Sequence, residues 1–140
     1  MLISGSGRYR AAVNAAAVGK TYPDVVFRVE PQRVAAFRAV FGEHGDVVLP
    51  TFLTAAEFSV FPRIVGDPEL GLDFTRVVHA EEEYEWRRPL AVGETLTARA
   101  RIAQIREKGG HGFLTIETEL LDPAGDLVAV ARATMIERWA

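Results

Sequence analysis

The hydrophobic positions of this chain are densest between residues 50 and 65, where there is almost no polar face. After Thr51, four polar side chains interrupt that stretch: Thr54, Glu57, Ser59 and Arg63. Pro50 cannot donate to a strand ladder and Thr51 is a favourable N-cap residue, so the pattern predicts a helix over residues 51–65. A helix that is apolar nearly all round is usually buried. Thr54 and Glu57 are then polar groups in a place that should be dry.

After Gly71 the pattern changes to the alternation that is typical of β-strands. In the first of these strands we expect the set with the large aromatic side chains to face the helix: Ala80, Glu82, Tyr84 and Trp86. The other set should form a solvated, charged face: His79, Glu81, Glu83, Glu85 and Arg87. Pro89 ends this strand.

Three further strands follow and are joined by tight turns. In the next strand the positions expected to point inward are Leu96, Ala98, Ala100 and Ile102. A glycine-rich stretch at residues 108–112 predicts a hairpin, and residues 122–126 predict another turn. The last strand is apolar on both faces apart from Arg132 and Thr134, so we expect it to be central or covered. These short connections favour an antiparallel sheet.

The N-terminal part of the chain predicts one more strand, over residues 25–29, and one more helix. Pro31 suits the first position of that helix, because its missing N–H is not needed there. Apolar residues share one face of the helix at helical spacing, and Gly42 ends it; they are Val34, Phe37, Val40 and Phe41. Residues 1–12 are rich in glycine and serine and then basic, so we expect a disordered leader followed by a single domain over residues 13–140.

One apolar helix and four or five strands bury the helix most simply if the sheet curls around it. The sequence therefore predicts an α+β hot-dog fold, in which an antiparallel sheet wraps a central apolar helix.

Composition excludes several classes of protein. The chain has 140 residues, no cysteine and a net charge of −3. Without cysteine there is no disulfide framework, thiolate metal site or thiol nucleophile. Without a basic stripe nucleic acid is not expected as a partner. No apolar run approaches the roughly 20 residues of a membrane span, and no signal peptide is recognisable, so a cytoplasmic location is expected.

Few side chains are candidates for chemistry. His44 and Asp46 flank a glycine just before the central helix, where an acid/base pair could act on a ligand, although an exposed polar turn explains them equally simply. His79 lies beside three glutamates, which could raise its pKa, or it has a structural role. His111 lies between glycines in a turn. The histidines are too scattered for a metal site, and the glycines match no phosphate-binding spacing, so no cofactor is expected.

Three stretches of the chain carry a resemblance to a known family. They are residues 18–23 (VGKTYP), residues 50–53 (PTFL) and residues 79–94, which contain HAEEEYEWRRPL followed by VGE. The chain resembles the MaoC-like hot-dog dehydratases over residues 18–138. It is most similar to the N-terminal-type (FAS1-like) dehydratase domain of actinobacteria, which includes the non-catalytic subunits of heterodimeric (3R)-hydroxyacyl dehydratases.

The departure from that family bears directly on function. Catalytic members carry an Asp-x-Asn-x-x-His motif between the first helix and the central helix. Here the corresponding loop is only residues 42–49, in which His44 precedes Asp46 and no asparagine lies between them. Neither residue can be carried over as catalytic.

The resemblance then implies a non-catalytic, substrate-binding subunit of a dehydratase in fatty acid metabolism. It would bind an acyl thioester of CoA or of acyl carrier protein, and pair with a MaoC-type catalytic subunit or with itself. The central helix would line the acyl channel through Thr51, Phe52, Thr54, Ala55, Ala56, Phe58 and Ser59. Two alternatives stay open, namely a free-standing thioesterase with Glu57 as base or nucleophile, and a homodimer that only binds acyl thioesters.

Overall fold

The computed structural model describes residues 11–45 and 47–139. Its strands and helices are β1 (Val25–Arg28), α1 (Pro31–Val40), α2 (Leu53–Glu57), α3 (Phe61–Val65), β2 (Val77–Trp86), β3 (Thr95–Lys108), β4 (His111–Leu121) and β5 (Leu127–Glu137). The five strands form one antiparallel sheet in the order β1-β3-β4-β5-β2. The helices α2 and α3 pack on its inner face, which confirms the predicted hot-dog fold. Residues 1–10 of the predicted leader lie outside the described residues.

The central helix is segmented rather than continuous. A 3₁₀ turn (Pro50–Phe52) leads into α2, and a second 3₁₀ turn (Phe58–Val60) separates α2 from α3. Pro62 lies in the first turn of α3. A proline lacks the N–H that an uninterrupted helix would use there, and its ring would clash with the carbonyl four residues earlier, so the α-helical hydrogen bonding is interrupted at this point.

The predicted N-cap at Thr51 is wrong. Leu49 occupies the N-cap position and makes no side-chain capping bond, while Thr51 is already inside the first 3₁₀ turn and is exposed. Pro50 is the reason, because its fixed φ suits the first helical position, which places Leu49 at the N-cap, where its side chain has no hydrogen-bond acceptor.

The core forms between one face of the central helix and the inner face of the sheet. Leu53, Ala56, Val60 and Ile64 follow one another at helical spacing and are completely buried. On β3 the predicted inward set is confirmed, because Leu96, Ala98, Ala100 and Ile102 are also completely buried. The last strand, β5, lies between β4 and β2, as its apolar sequence predicted.

Ion pairs cover the outer face of the sheet. Arg132 on β5 pairs with Glu117 on β4 at 2.9 Å and with Glu83 and Glu85 on β2 at 2.9 and 3.3 Å. Arg101 on β3 extends the series to Glu117 at 2.8 Å. This face is therefore solvated and charged, and β1 and β2 are the edge strands of the sheet.

The buried face of α1 is shorter than predicted. Val34 is buried and the ring of Phe37 packs edge-on against Phe52 at 5.6 Å, but Val40 and Phe41 are exposed. The following loop folds back over Arg38 instead, whose guanidinium donates to the carbonyl of Val47 at 2.6 Å and to that of His44 at 2.9 Å. Arg38 thereby becomes a buried charge that the apolar pattern did not predict.

Candidate functional site

Two pairs of polar side chains lie between the central helix and strand β2. The first pair joins the hydroxyls of Thr54 on α2 and Tyr84 on β2 by a hydrogen bond. Burial raises the pKa of Tyr84 to about 12, so the phenol remains neutral at physiological pH. This bond explains why Thr54 is tolerated on an apolar helix, and it fixes the distance between the start of the helix and the strand.

The second pair consists of the carboxyl groups of Glu57 on α2 and Glu82 on β2. Glu57 is completely buried, and neither of its oxygens has a conventional hydrogen-bond partner among the described residues. Burial, followed by the charge of Glu82 and direct interaction with it, raises the pKa of Glu57 to about 9. The carboxyl of Glu57 is therefore protonated at neutral pH.

Glu82 is the member of this pair that lies beside His79. Burial raises the pKa of Glu82 as well, but His79 and Glu57 act in the opposite direction. The imidazole Nε2 of His79 lies 3.0 Å from Oε2 of Glu82. Two carboxyl groups that are close together in a dry environment cannot both ionise easily, and so the pair shares one proton.

A β-bulge brings His79 to this place. His79 is opposite Met135 on β5, whereas Glu81 is opposite Thr134, which leaves Ala80 as an extra residue. The bulge reverses the alternation locally, so that His79 reaches Glu82 and lies against the ring of Phe58 at 5.7 Å. The prediction that placed His79 on the outer charged face is therefore wrong, and nothing in the alternating pattern signals the extra residue.

An apolar groove runs along the second half of the central helix beside the edge strand. Its volume is about 400 Å³, and among the described residues that line it His79 is the titratable one. The other lining residues include Phe58, Phe61, Val65, Phe74, Val77 and Met135. A second groove of about 390 Å³ lies at the other end of the helix, between Pro50 and Trp86. Both grooves suit a hydrocarbon chain better than a polar ligand.

The candidate residues of the sequence analysis fall into several environments. Phe52 and Ala56 belong to the core, while Ala55 and Ser59 are half-buried, with the Ser59 hydroxyl donating to the carbonyl of Ala56 at 2.6 Å. Phe58 lines the groove.

The described part of the loop before the helix does not bring His44 together with a second candidate group. His44 is exposed, and Asp46 lies outside the described residues. Within residues 11–45 and 47–139, no cluster of histidine and acidic side chains has the geometry of a metal site. Across the same residues, no helix is long and apolar enough to cross a bilayer.

Comparison with known proteins identifies relatives of similar length. A UPF0336 protein of Streptomyces coelicolor is 30% identical, with 92% of this chain and 97% of that protein covered. A UPF0336 protein of Clavibacter michiganensis is 31% identical, with 94% and 84% covered.

Solved structures show the same fold. The HadBC (3R-hydroxyacyl-ACP dehydratase) complex of Mycobacterium tuberculosis matches with a TM-score of 0.71 at 20% identity, covering 86% of this chain and 96% of the matched chain. HtdX of the same organism matches with a TM-score of 0.75 at 23% identity, covering 85% and 51%. The family model of the FAS1-like dehydratase domain region matches residues 15–131. The chain therefore belongs to the family of the FAS1-like dehydratase domain region.

Proposed function

We propose that this protein is a substrate-binding subunit of a (3R)-3-hydroxyacyl-thioester dehydratase. The acyl chain lies against the central helix, and a second hot-dog chain pairs through the edge strand β2 and supplies the acid and base for the loss of water. The observation that carries this proposal is the apolar groove of about 400 Å³ directly beside an unpaired edge strand. The similarity of this chain's fold to that of the HadBC complex supports the same proposal.

The loop between α1 and the central helix supports a non-catalytic role in dehydration. Dehydration needs a group within hydrogen-bond reach of the 3-hydroxyl to move its proton. The described part of this loop offers His44, which is exposed and whose carbonyl accepts from Arg38, and Glu43, which is exposed and pairs with Arg38 at 3.2 Å. An exposed imidazole on a loop of eight residues lacks the buried, oriented setting that such a proton transfer requires.

Glu57 is poorly suited to the role of hydrolytic base or nucleophile. At neutral pH its carboxyl carries a proton, because its pKa is raised to about 9. Both carboxyl oxygens are also buried beneath the helix–strand interface. A base must be unprotonated and a nucleophile must reach its substrate, so the geometry favours the binding role over a thioesterase that uses Glu57.

The proposal is tested by hydratase assays on the chain alone and together with a motif-bearing MaoC-type subunit. We expect negligible hydration of crotonyl-CoA or longer enoyl-CoA by the chain alone, because a missing acid–base group typically lowers a rate by about 10²–10⁴-fold. Activity should appear with the second subunit. The non-catalytic role is refuted if the chain alone hydrates enoyl-CoA and if His44→Ala or Asp46→Asn abolishes that activity. Glu81→Gln is the control variant, which should leave that activity unchanged.

A further inference from the structure

The polar cluster of His79, Glu82 and Glu57 has no task in the proposed binding role. The carboxyl groups of Glu57 and Glu82 lie between the helix and the strand, and the exposed imidazole of His79 lies beside them. Burying carboxyl groups opposes folding unless they are fully paired, and the oxygens of Glu57 and Glu82 have no hydrogen-bond partner among the described residues. Titratable groups brought together in this way beside a groove are typical of functional sites.

The geometry gives His79 a distinct position within the cluster. It is the member that lines the groove, and about a third of its side chain is exposed to solvent. Oε2 of Glu82 lies 3.0 Å from Nε2, as an ion-pair contact without hydrogen-bond geometry, and the ring of Phe58 packs against the imidazole at 5.7 Å. In the neutral imidazole, a proton on Nε2, the nitrogen beside the carboxylate, leaves Nδ1 as the proton acceptor. An imidazole oriented by a carboxylate is the arrangement that general bases commonly use.

We propose that His79 is the general base of a separate thioester-hydrolysing activity that this chain carries by itself. Glu82 is the positioning residue that holds the imidazole, and Glu57 keeps the negative charge of the pair on Glu82. The substrate class is the linear acyl thioester, whose acyl chain occupies the apolar groove. The inference shares the groove with the proposed function but does not depend on a partner subunit.

The reaction consumes only the thioester and water. His79 removes a proton from water while the water oxygen forms a bond to the thioester carbonyl carbon. The carbon–sulfur bond then breaks, and the leaving sulfur takes the proton from the imidazolium. The products are a carboxylic acid and a free thiol, and no group is oxidised or reduced.

The test measures release of free thiol from octanoyl-CoA and dodecanoyl-CoA by the purified full chain. The chain contains no cysteine, so a thiol reagent reports only the product. We expect His79→Ala to lower kcat by about 10²–10⁴-fold. Added imidazole should restore part of the activity of this variant, which would not happen if His79 were only structural.

Two isosteric variants separate the roles of the carboxyl groups. Glu82→Gln removes the charge that holds His79 and should lower kcat with little change in KM. Glu57→Gln replaces a carboxyl that is already neutral, so the decrease in kcat should be clearly smaller than the decrease caused by Glu82→Gln. Glu81→Gln, on the same strand but exposed, is the control, and thermal unfolding shows that each variant is folded.

Three outcomes overturn the inference. They are no thiol release by the wild-type chain, no response of His79→Ala to imidazole, and a larger loss in Glu57→Gln than in Glu82→Gln. The first outcome leaves the proposed function intact if enoyl-CoA hydration still appears with the partner subunit. Conversely, thiol release without any partner-dependent hydration would support the inference while refuting the proposed function.

Discussion

Replacing Glu57 by glutamine should stabilise this protein at neutral pH. The side chain of Glu57 is completely buried, and its pKa is raised from 4.5 to about 9 by burial and by Glu82. A carboxyl whose pKa is higher in the folded state than in the unfolded state makes its full contribution to stability at pH values where it is protonated in both states. That contribution is present below pH 4.5 and is lost as the pH rises towards 9. Glutamine has a similar shape and no charge to lose.

The magnitude follows from the shift. Between pH 4.5 and 9 the folded state holds a proton that the unfolded state has released, so stability falls by about 1.4 kcal/mol for each pH unit. Over the roughly 2.5 pH units between 4.5 and 7, this amounts to about 3 kcal/mol. Such a difference is a large fraction of the total stability of an ordinary domain, which is about 5–15 kcal/mol.

The assay is urea unfolding of the wild type and of Glu57→Gln at several pH values between 5 and 8. The difference in unfolding free energy should grow in favour of glutamine as the pH rises. Any fixed effect of the amide is constant with pH, and titrating groups that do not interact with Glu57 largely cancel in the difference; Asp67, for example, has its pKa lowered to about 2 by Lys20 and titrates below this range. Glu81→Gln should show no such trend. A difference that is constant from pH 5 to pH 8 would refute a protonated Glu57.

Three further predictions follow from other parts of the structure. The isolated chain should self-associate in light scattering or be unstable without a partner, because the β2 edge is unpaired; a heat-stable monomer would contradict this. Val65→Phe should weaken binding of long acyl-CoA more than short acyl-CoA in calorimetry, whereas Ala56→Phe overpacks the core and should lower stability by about 1–3 kcal/mol. Gly112→Ala should lower the melting temperature, because its Cβ would lie 2.7 Å from Val13 and 2.8 Å from Ala11.

The sequence by itself determined where the strands and the central helix lie and the fold class. The alternation on β3, with Leu96 and Ile102 inside and Arg101 outside, could be read without a structure, because a strand that covers a core exposes one side to water. The density of apolar residues between 50 and 65 located the central helix. Thr54 and Glu57 could be recognised as anomalies for the same reason, since polar groups are unusual on a buried helix.

Only the tertiary structure decided what those anomalies contact. The bulge before Glu81 adds one residue to β2 and brings His79 to the helix side, and no residue type in that stretch demands it. The protonation of Glu57 depends on its depth in the core and on Glu82, which belongs to another element. Burial and charge proximity are properties of the packed chain, whereas periodicity is a property of the sequence, so the sequence could place these residues on elements but could not bring them together.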